Sequence, residues 1–358
     1  VRLLYVNSTR RWGGVKSWSL RSARQLAARG HEVVVAGRRG DPFLDACREA
    51  DLEVWPLSFG PSWSPRLILR FVRLIRRRSI QLTVCNTGRD LSTAGAASRL
   101  CGVPVVHRVG SGTDFRDTLA RRWTHQAIVS RVLAPAATMA RELTERFAWI
   151  QPGQVCVSWN AVESPLRNRL PGQPGRLVCL GRLAAGKGLE SLLSAVAILH
   201  GQGHELQLDL VGEGPIEAEL RRRAIELGIG DHVRFTGFIR PVSHVLALAS
   251  IGILASRSEG FPNVLLDYWS AGLAVVSSDL PGVREAMGES GAARLVPVDD
   301  VEALARVLGH LLRDDGEREG LSAAGLDQVR LHFNVEREAG RLERIFAALI
   351  SPPSQPME

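Results

Sequence analysis

RLVCLGRLAAGKGLESLLSAVAILH, residues 176–200, decides the fold. An apolar run over 176–181 predicts a buried strand, and the apolar spacing over 189–200 predicts a helix. The glycine-rich turn Leu180–Gly188 joins them. Strand, turn and helix in that order are the repeating unit of a parallel α/β sheet. Downstream the pattern recurs, with strands predicted near 205–211, 233–236, 251–255, 274–278 and 293–297. Helices are predicted near 189–200, 216–227, 240–249, 262–271 and 301–313. Upstream it runs separately, with strands near 2–7, 32–37, 53–57, 81–86, 103–109 and 154–159 and helices near 15–29, 65–78, 92–101 and 136–147. Between the series, Asn160–Gly175, with Pro165, Pro171 and Pro174, reads as a linker. The expected organisation is two doubly wound domains, 1–160 and 161–334, then a helix over 335–350 and a frayed tail from Pro352-Pro353. Facing one another, such domains would form a cleft at the carboxyl ends of both sheets, where these folds bind ligands.

Length supports two cores, since 358 residues exceed what one ordinary domain holds. The longest apolar run, near Val245–Ala255, falls short of the roughly 20 residues a membrane span needs. The chain opens on a strand-like run without a leader pattern, so a cytoplasmic location is expected. Five cysteines, at 47, 85, 101, 156 and 179, are scattered without C-x-x-C spacing. They read as small buried hydrophobes in a reducing compartment, not as disulfides or metal ligands.

Charge is unevenly divided. Residues 1–160 hold 25 Lys+Arg against 11 Asp+Glu, or +14, whereas 161–358 hold 20 against 26, or −6. The first half is therefore expected to meet something anionic. No nucleic-acid-binding motif accompanies the charge, so a membrane surface or phosphorylated lipid carrier is the expected partner, not nucleic acid. Within Pro65–Arg78, Arg66, Arg70, Arg73 and Arg77 share one helical face. That face reads as docking on an anionic membrane or, equally, as an ordinary solvated surface.

Of 45 basic residues only Lys16 and Lys187 are lysines, and both fall in glycine-rich strand-to-helix turns. The first turn, Trp12-Gly13-Gly14-Val15-Lys16-Ser17, could let a ligand approach the backbone or be a simple tight turn. In the second, Gly188 stands where a Walker A loop needs Ser or Thr. Arg182 and Lys187, five residues apart at a helix start, could instead clamp a diphosphate and stabilise it as a leaving group without metal. A third stretch, Ser256–Asp267, places Glu259 on a loop after a buried strand and Asp267 in the helix that Pro262 opens. Two carboxylates so placed could bind different hydroxyls of one elongated polar ligand, with amides near Asn263 and Val264 facing the same site. A capping role for Glu259 and a half-exposed helical acid at Asp267 are the plainer readings.

Taken in order, Gly181-Arg182-Leu183 with Lys187-Gly188, Leu210–Pro215, Val233–Phe238, Ser258–Leu266 and Gly272–Val276 resemble the retaining GT-B glycosyltransferases of family 4 over essentially the whole second half. The first half resembles them through the double-glycine turn and Val105-Val106-His107. The resemblance implies a GT-B fold and transfer of a sugar, with retention, from a nucleotide-diphosphate donor, uridine favoured, to a glycan or lipid-linked acceptor. No paired acidic metal motif stands in a plausible site, Asp314-Asp315 falling in a late loop, so neither metal nor cofactor is expected. The resemblance gives Arg182 and Lys187 to the diphosphate, Glu259 to the donor sugar, Ile239 and its neighbour to the base, and Gly13, Gly14 and Gly181 to close approach of the ligands. Asp267 stands where the family's Glu-x7-Glu pair has its second glutamate, one methylene shorter on the ribose hydroxyls. His107 matches a position that contacts the donor sugar and could assist proton transfer. Lys16 and the four helical arginines remain for acceptor or membrane. The last helix would return to the first domain. Two other readings stay open: a GT-B nucleotide-sugar epimerase or hydrolase, and a non-catalytic partner that binds nucleotide sugar. The missing G-x-G-x-x-G after the first strand speaks against a Rossmann dehydrogenase.

Overall fold

The apolar run after Val1 becomes β1 (Arg2–Asn7), buried along all but its first residue. The computed structural model describes residues 1–10, 12–110, 117–163 and 172–350. Its first unit comprises Val1–Ala161 and the segment from Val335, and its second comprises Val162–Asn334.

In the first unit β1 is followed by α1 (Gly14–Ala28), β2 (Glu32–Arg38), α2 (Pro42–Glu49), β3 (Glu53–Leu57), α3 (Pro65–Arg77) and β4 (Leu82–Cys85). Then come α4 (Gly88–Asp90), a π turn at Leu91–Gly95, α5 (Ala96–Leu100), β5 (Val105–Arg108), α6 (Leu119–Ile128), β6 (Arg131–Ala134), α7 (Ala137–Arg146) and β7 (Val155–Val157). The strands pair in parallel in the order β3-β2-β1-β4-β5-β6-β7. Helices cover the sheet, and Leu3, Tyr5, Val33, Val35, Leu82 and Val84 enter one core with Trp18 and Leu26 of α1.

The second unit runs β8 (Arg176–Leu180), α8 (Leu189–Gly201), β9 (Gln207–Val211), α9 (Glu217–Glu226), β10 (Val233–Gly237), α10 (Ser243–Leu248) and β11 (Ile251–Leu254). It continues with α11 (Asn263–Ser270), β12 (Ala274–Ser278), α12 (Pro281–Met287), β13 (Arg294–Val296), α13 (Val301–Arg313) and α14 (Asp315–Leu331). Its strands are parallel in the order β10-β9-β8-β11-β12-β13. Finally α15 (Val335–Ile350) belongs to the first unit, where Leu342 and Phe346 join the core and Ser158 Oγ donates to Glu338 Oε1 at 2.6 Å.

In each sheet the strand order reverses beside the first strand, between β1 and β4 and between β8 and β11. The crevice outside the carboxyl ends at such a reversal is where open α/β sheets bind ligands.

Several elements depart from expectation. β6, α2, α6, α12 and α14 were not anticipated, and α11 begins at Asn263, with Pro262 as its N-cap. α14 carries Gly316, Gly320 and Gly325, which weaken helix propensity, yet Gly325 is required by packing. A Cβ there would overlap the Trp269 indole. Much of the expected linker, 164–171, and the tail at Pro352-Pro353 lie outside the described residues.

Candidate functional site

Two loops meet at the strand reversal of the second unit: 181–188, leaving β8, and 255–262, leaving β11. The buried Tyr268 of α11 ties the strand ends together. Its hydroxyl accepts from Leu180 N at 2.7 Å and donates to the Ile253 carbonyl at 3.1 Å. Gly188 brings the loops into contact. It has φ +61, and a Cβ would overlap the Ala255 carbonyl oxygen, so only glycine fits. Arg257 completes the join, its N donating to Gly186 O at 3.0 Å and its guanidinium to Ala185 O at 2.7 Å and Asp299 at 2.6 Å.

This joint brings Lys187 and Glu259 together, Nζ to Oε1 at 2.5 Å, with side chains 33% and 17% exposed. Ser256 Oγ donates to the same carboxylate oxygen at 2.8 Å. Arg182 is exposed on the β8 loop. Asn263 opens α11 with its Oδ1 shielded from solvent and unmatched among the described residues. Val264 follows it, and Asp267 lies half-buried in the next turn. Ile239 lies just beyond β10, after the exposed Phe238. A Cβ at Gly181 would meet nothing within 4 Å, so open space stands before that loop. Cation, carboxylate and open glycine backbone at one strand reversal can hold a polar, doubly charged ligand.

In the first unit Gly13 caps α1 and Gly14 begins it. A Cβ at Gly13 would meet no atom within 4 Å, so packing does not explain that glycine. Lys16 differs from expectation: it is 1% exposed, and its Nζ donates to Asp41 Oδ2 at 2.5 Å. A buried lysine matched by a carboxylate cannot dock on a membrane surface. His107 lies inside β5, 1% exposed, its ring 5.0 Å from that of His125. Burial, then the charges of His125, Arg121 and Arg108, push its pKa well down, and burial takes His125 down to about 4. Near neutrality His107 is thus held as the neutral imidazole. On α3, Arg66, Arg70, Arg73 and Arg77 are exposed, while Leu67, Phe71, Leu74 and Ile75 are buried.

Residues 12–164 match the family described as "Glycosyltransferase Family 4", and 174–314 match "Glycosyl transferases group 1". A phosphatidyl-myo-inositol mannosyltransferase of Mycolicibacterium smegmatis is 32% identical over 343 residues, covering 88% of this chain and 86% of that protein. The chain belongs to glycosyltransferase family 4. A GDP-mannose-dependent alpha-(1-6)-phosphatidylinositol monomannoside mannosyltransferase of Mycobacterium tuberculosis is 26% identical over 376 residues, with 93% and 94% coverage. A glycosyltransferase structure from Rickettsia africae superposes with a TM-score of 0.83 at 15% identity, over 98% of this chain and 99% of that one. The two parallel-sheet units are accordingly those of the GT-B fold, and this glycosyltransferase is an enzyme of the hexosyl-transferring class.

Sequence reasoning missed the polar net at the strand reversal of the glycosyltransferase's first unit. Asp90, fully buried, forms a capping box with Thr87. Its carboxyl is pushed up to about 6 by burial, against hydrogen bonds from Ser8, Thr87 and Asn86. The signal was available as Thr87-x-x-Asp90 directly after an apolar strand. In the second unit His310, Asp314 and Glu317 offer ligand atoms within 4.8 Å of one another, but Asp314 caps α14 and the group lies on α13 and α14, outside the loops 181–188 and 255–262.

Proposed function

We propose that this glycosyltransferase moves a hexose from a nucleoside-diphosphate sugar to a hydroxyl of a lipid-linked or cell-envelope glycan acceptor, with retention and without a metal. The observation that carries the reading is the Lys187–Glu259 pair, held by loops that leave adjacent strands β8 and β11 at the strand reversal. Lys187 and Arg182 would neutralise the diphosphate as the bond from its oxygen to the anomeric carbon breaks. The acceptor oxygen would bond to that carbon from the same face, its proton passing to the departing phosphate oxygen. Glu259 would accept from the sugar hydroxyls, and Asp267 from the ribose. Gly13 and Gly14 would admit the donor phosphate or the acceptor to the first unit, and Ile239 would flank the base.

The relative of M. tuberculosis named for GDP-mannose matches along nearly the whole chain, so GDP-mannose is placed ahead of the uridine donors that the motifs alone favoured. The phosphatidylinositol in both relatives' names supports a lipid acceptor. An anionic membrane face is supported by Arg66, Arg70, Arg73 and Arg77 of α3. Beside them Leu69 is 48% exposed, and Trp63 and Trp123 meet at a tilt of 47°, ring centroids 5.8 Å apart, at 42% and 60% exposure. No helix among the described residues is long and apolar enough to cross a membrane.

The test is a thermal-shift panel of GDP, UDP and ADP with and without EDTA, followed by transfer assays with the responding donor. A ligand at 100 times its Kd adds about 2.7 kcal/mol to the native state. A shift with one nucleotide that survives EDTA and vanishes in Lys187→Ala is expected. No shift with any of the three would overturn the donor site.

A further inference from the structure

At the reversal in the first unit, the loops leaving β1 and β4 form one hydrogen-bonded floor. Asp90 Oδ1 accepts from Ser8 N at 3.1 Å, and Oδ2 accepts from Asn86 N at 3.2 Å and Thr87 N at 2.8 Å. The Ser8 and Thr87 hydroxyls share a hydrogen bond of 3.0 Å, and Asn86 Nδ2 donates to Val6 O at 2.8 Å. Arg38, the last residue of β2, donates from Nε to Ser8 O at 2.6 Å.

Charge on this floor is unbalanced. Arg89 leaves it at the start of α4, Arg10 follows β1, and Arg121 of α6 lies against Gly88, where a Cβ would overlap its guanidinium. Burial and then the positive charges of Arg89 and Arg10 depress the pKa of Arg38, the sign of cations crowded together. None of these four arginines has an ion pair among the described residues. The neighbouring carboxylates are already engaged, Asp90 by three backbone amides and Asp41 by Lys16. Two donors shielded from solvent also lack an acceptor among the described residues: Asn7 Nδ2, on a side chain 1% exposed, and Arg89 Nε. Buried donors are almost always matched. An oxyanion would supply both the missing acceptors and the missing countercharge, and arginine forks fit phosphoryl oxygens in pairs.

We infer that Arg38 and Arg89, with Asn7 at their base, form an oxyanion subsite that takes a phosphoryl group of the acceptor. The assignment rests on the reading that the first unit receives the acceptor. It is separate from the α3 arginines, which lie on an exposed helical face.

Inorganic phosphate and glycerol 3-phosphate, with glycerol as the neutral control, are added to the full chain in phosphate-free buffer, with and without saturating GDP or whichever nucleotide binds. Both phosphates should raise the melting midpoint in either condition. The rise should weaken at least tenfold in apparent affinity in Arg38→Gln/Arg89→Gln, which keeps its nucleotide shift as proof of a folded donor unit. If that double variant does not fold, Arg121→Gln carries the same expectation from a different helix. An undiminished phosphate shift in the variants would overturn the subsite. Phosphate displaced by the nucleotide, or inorganic phosphate binding without glycerol 3-phosphate, would overturn the acceptor assignment. Loss of the nucleotide shift in wild type would strike the donor reading alone.

Discussion

Lys187 Nζ lies 2.5 Å from Glu259 Oε1, so the cation proposed for the diphosphate and the carboxylate proposed for the sugar neutralise each other. Both are partly open to solvent, which keeps the pair's net contribution within about 1 kcal/mol. Donor binding would divide it, giving the ammonium to phosphate and the carboxylate to sugar hydroxyls.

That division can be read by calorimetry. Glu259→Gln releases Lys187, so the free nucleoside diphosphate should bind up to about fivefold more tightly, while transfer from the full sugar donor falls. Lys187→Ala should lower kcat by about 10²- to 10³-fold, the usual loss for one preorganised charge-stabilising donor. Weaker nucleotide binding in Glu259→Gln would show that the pair does not restrain the lysine.

The contact of the loops after β8 and β11 through Gly188 sets a second expectation. Gly188→Ala adds a Cβ at φ +61 against the Ala255 carbonyl oxygen. Strain and overlap should cost about 3 kcal/mol, read by denaturant unfolding, and should abolish the nucleotide-induced melting shift. A variant as stable as wild type with an intact shift would refute the role given to this glycine.

Titration of Glu338 gives a pH signature. Burial pushes its carboxyl up to about 7, against the Ser158 hydrogen bond and the charges of Arg341, Arg108 and Arg344. An acid whose folded pKa is raised holds its proton in the native state while the unfolded chain loses it. Its contribution therefore declines as pH rises from the unfolded value to about 7 and is level beyond. Glu338→Gln, a fixed mimic of the protonated form, should gain stability relative to wild type between pH 5 and 7 and hold that gain at pH 8. Equal differences at all pH values in urea unfolding would exclude this. Asp90, His107 and His125 titrate in both proteins and cancel from the comparison.

Vesicle co-sedimentation tests the α3 face. Each basic residue near an anionic surface contributes about 1 kcal/mol, so Arg70→Glu with Arg73→Glu should weaken binding to anionic vesicles by about thirtyfold or more. Binding to neutral vesicles should change little. No loss on anionic vesicles would return the four arginines to an ordinary solvated face.

The loops after β8 and β11 were legible because local chemistry fixes them: both strands are apolar runs ending in glycine- and proline-marked turns. The elements that escaped are short or carry residues demanded by distant packing. β6 is four residues long and opens on Arg131. α12 begins Pro281-Gly282, which reads as a turn, but a Cβ at Gly282 would lie 2.5 Å from the Gly260 carbonyl oxygen. α2 did announce itself through Asp41, which caps Phe43 N at 2.9 Å, and Pro42, a signal masked by the Arg-Arg-Gly-Asp run before it. The floor around Asp90 stayed hidden because its partners, Ser8 and Arg38, come from other strands. Only the strand order makes them neighbours.

With Lys16 sealed against Asp41 and Lys187 a third exposed, the loop after β8, proposed for the donor, holds the one lysine side chain in the sequence open to solvent. An amine-selective reagent would therefore act as an address label for the site. Side-chain acylation should stop at a single adduct on Lys187, shielded by bound nucleotide, so one mass shift reports occupancy without a substrate in hand.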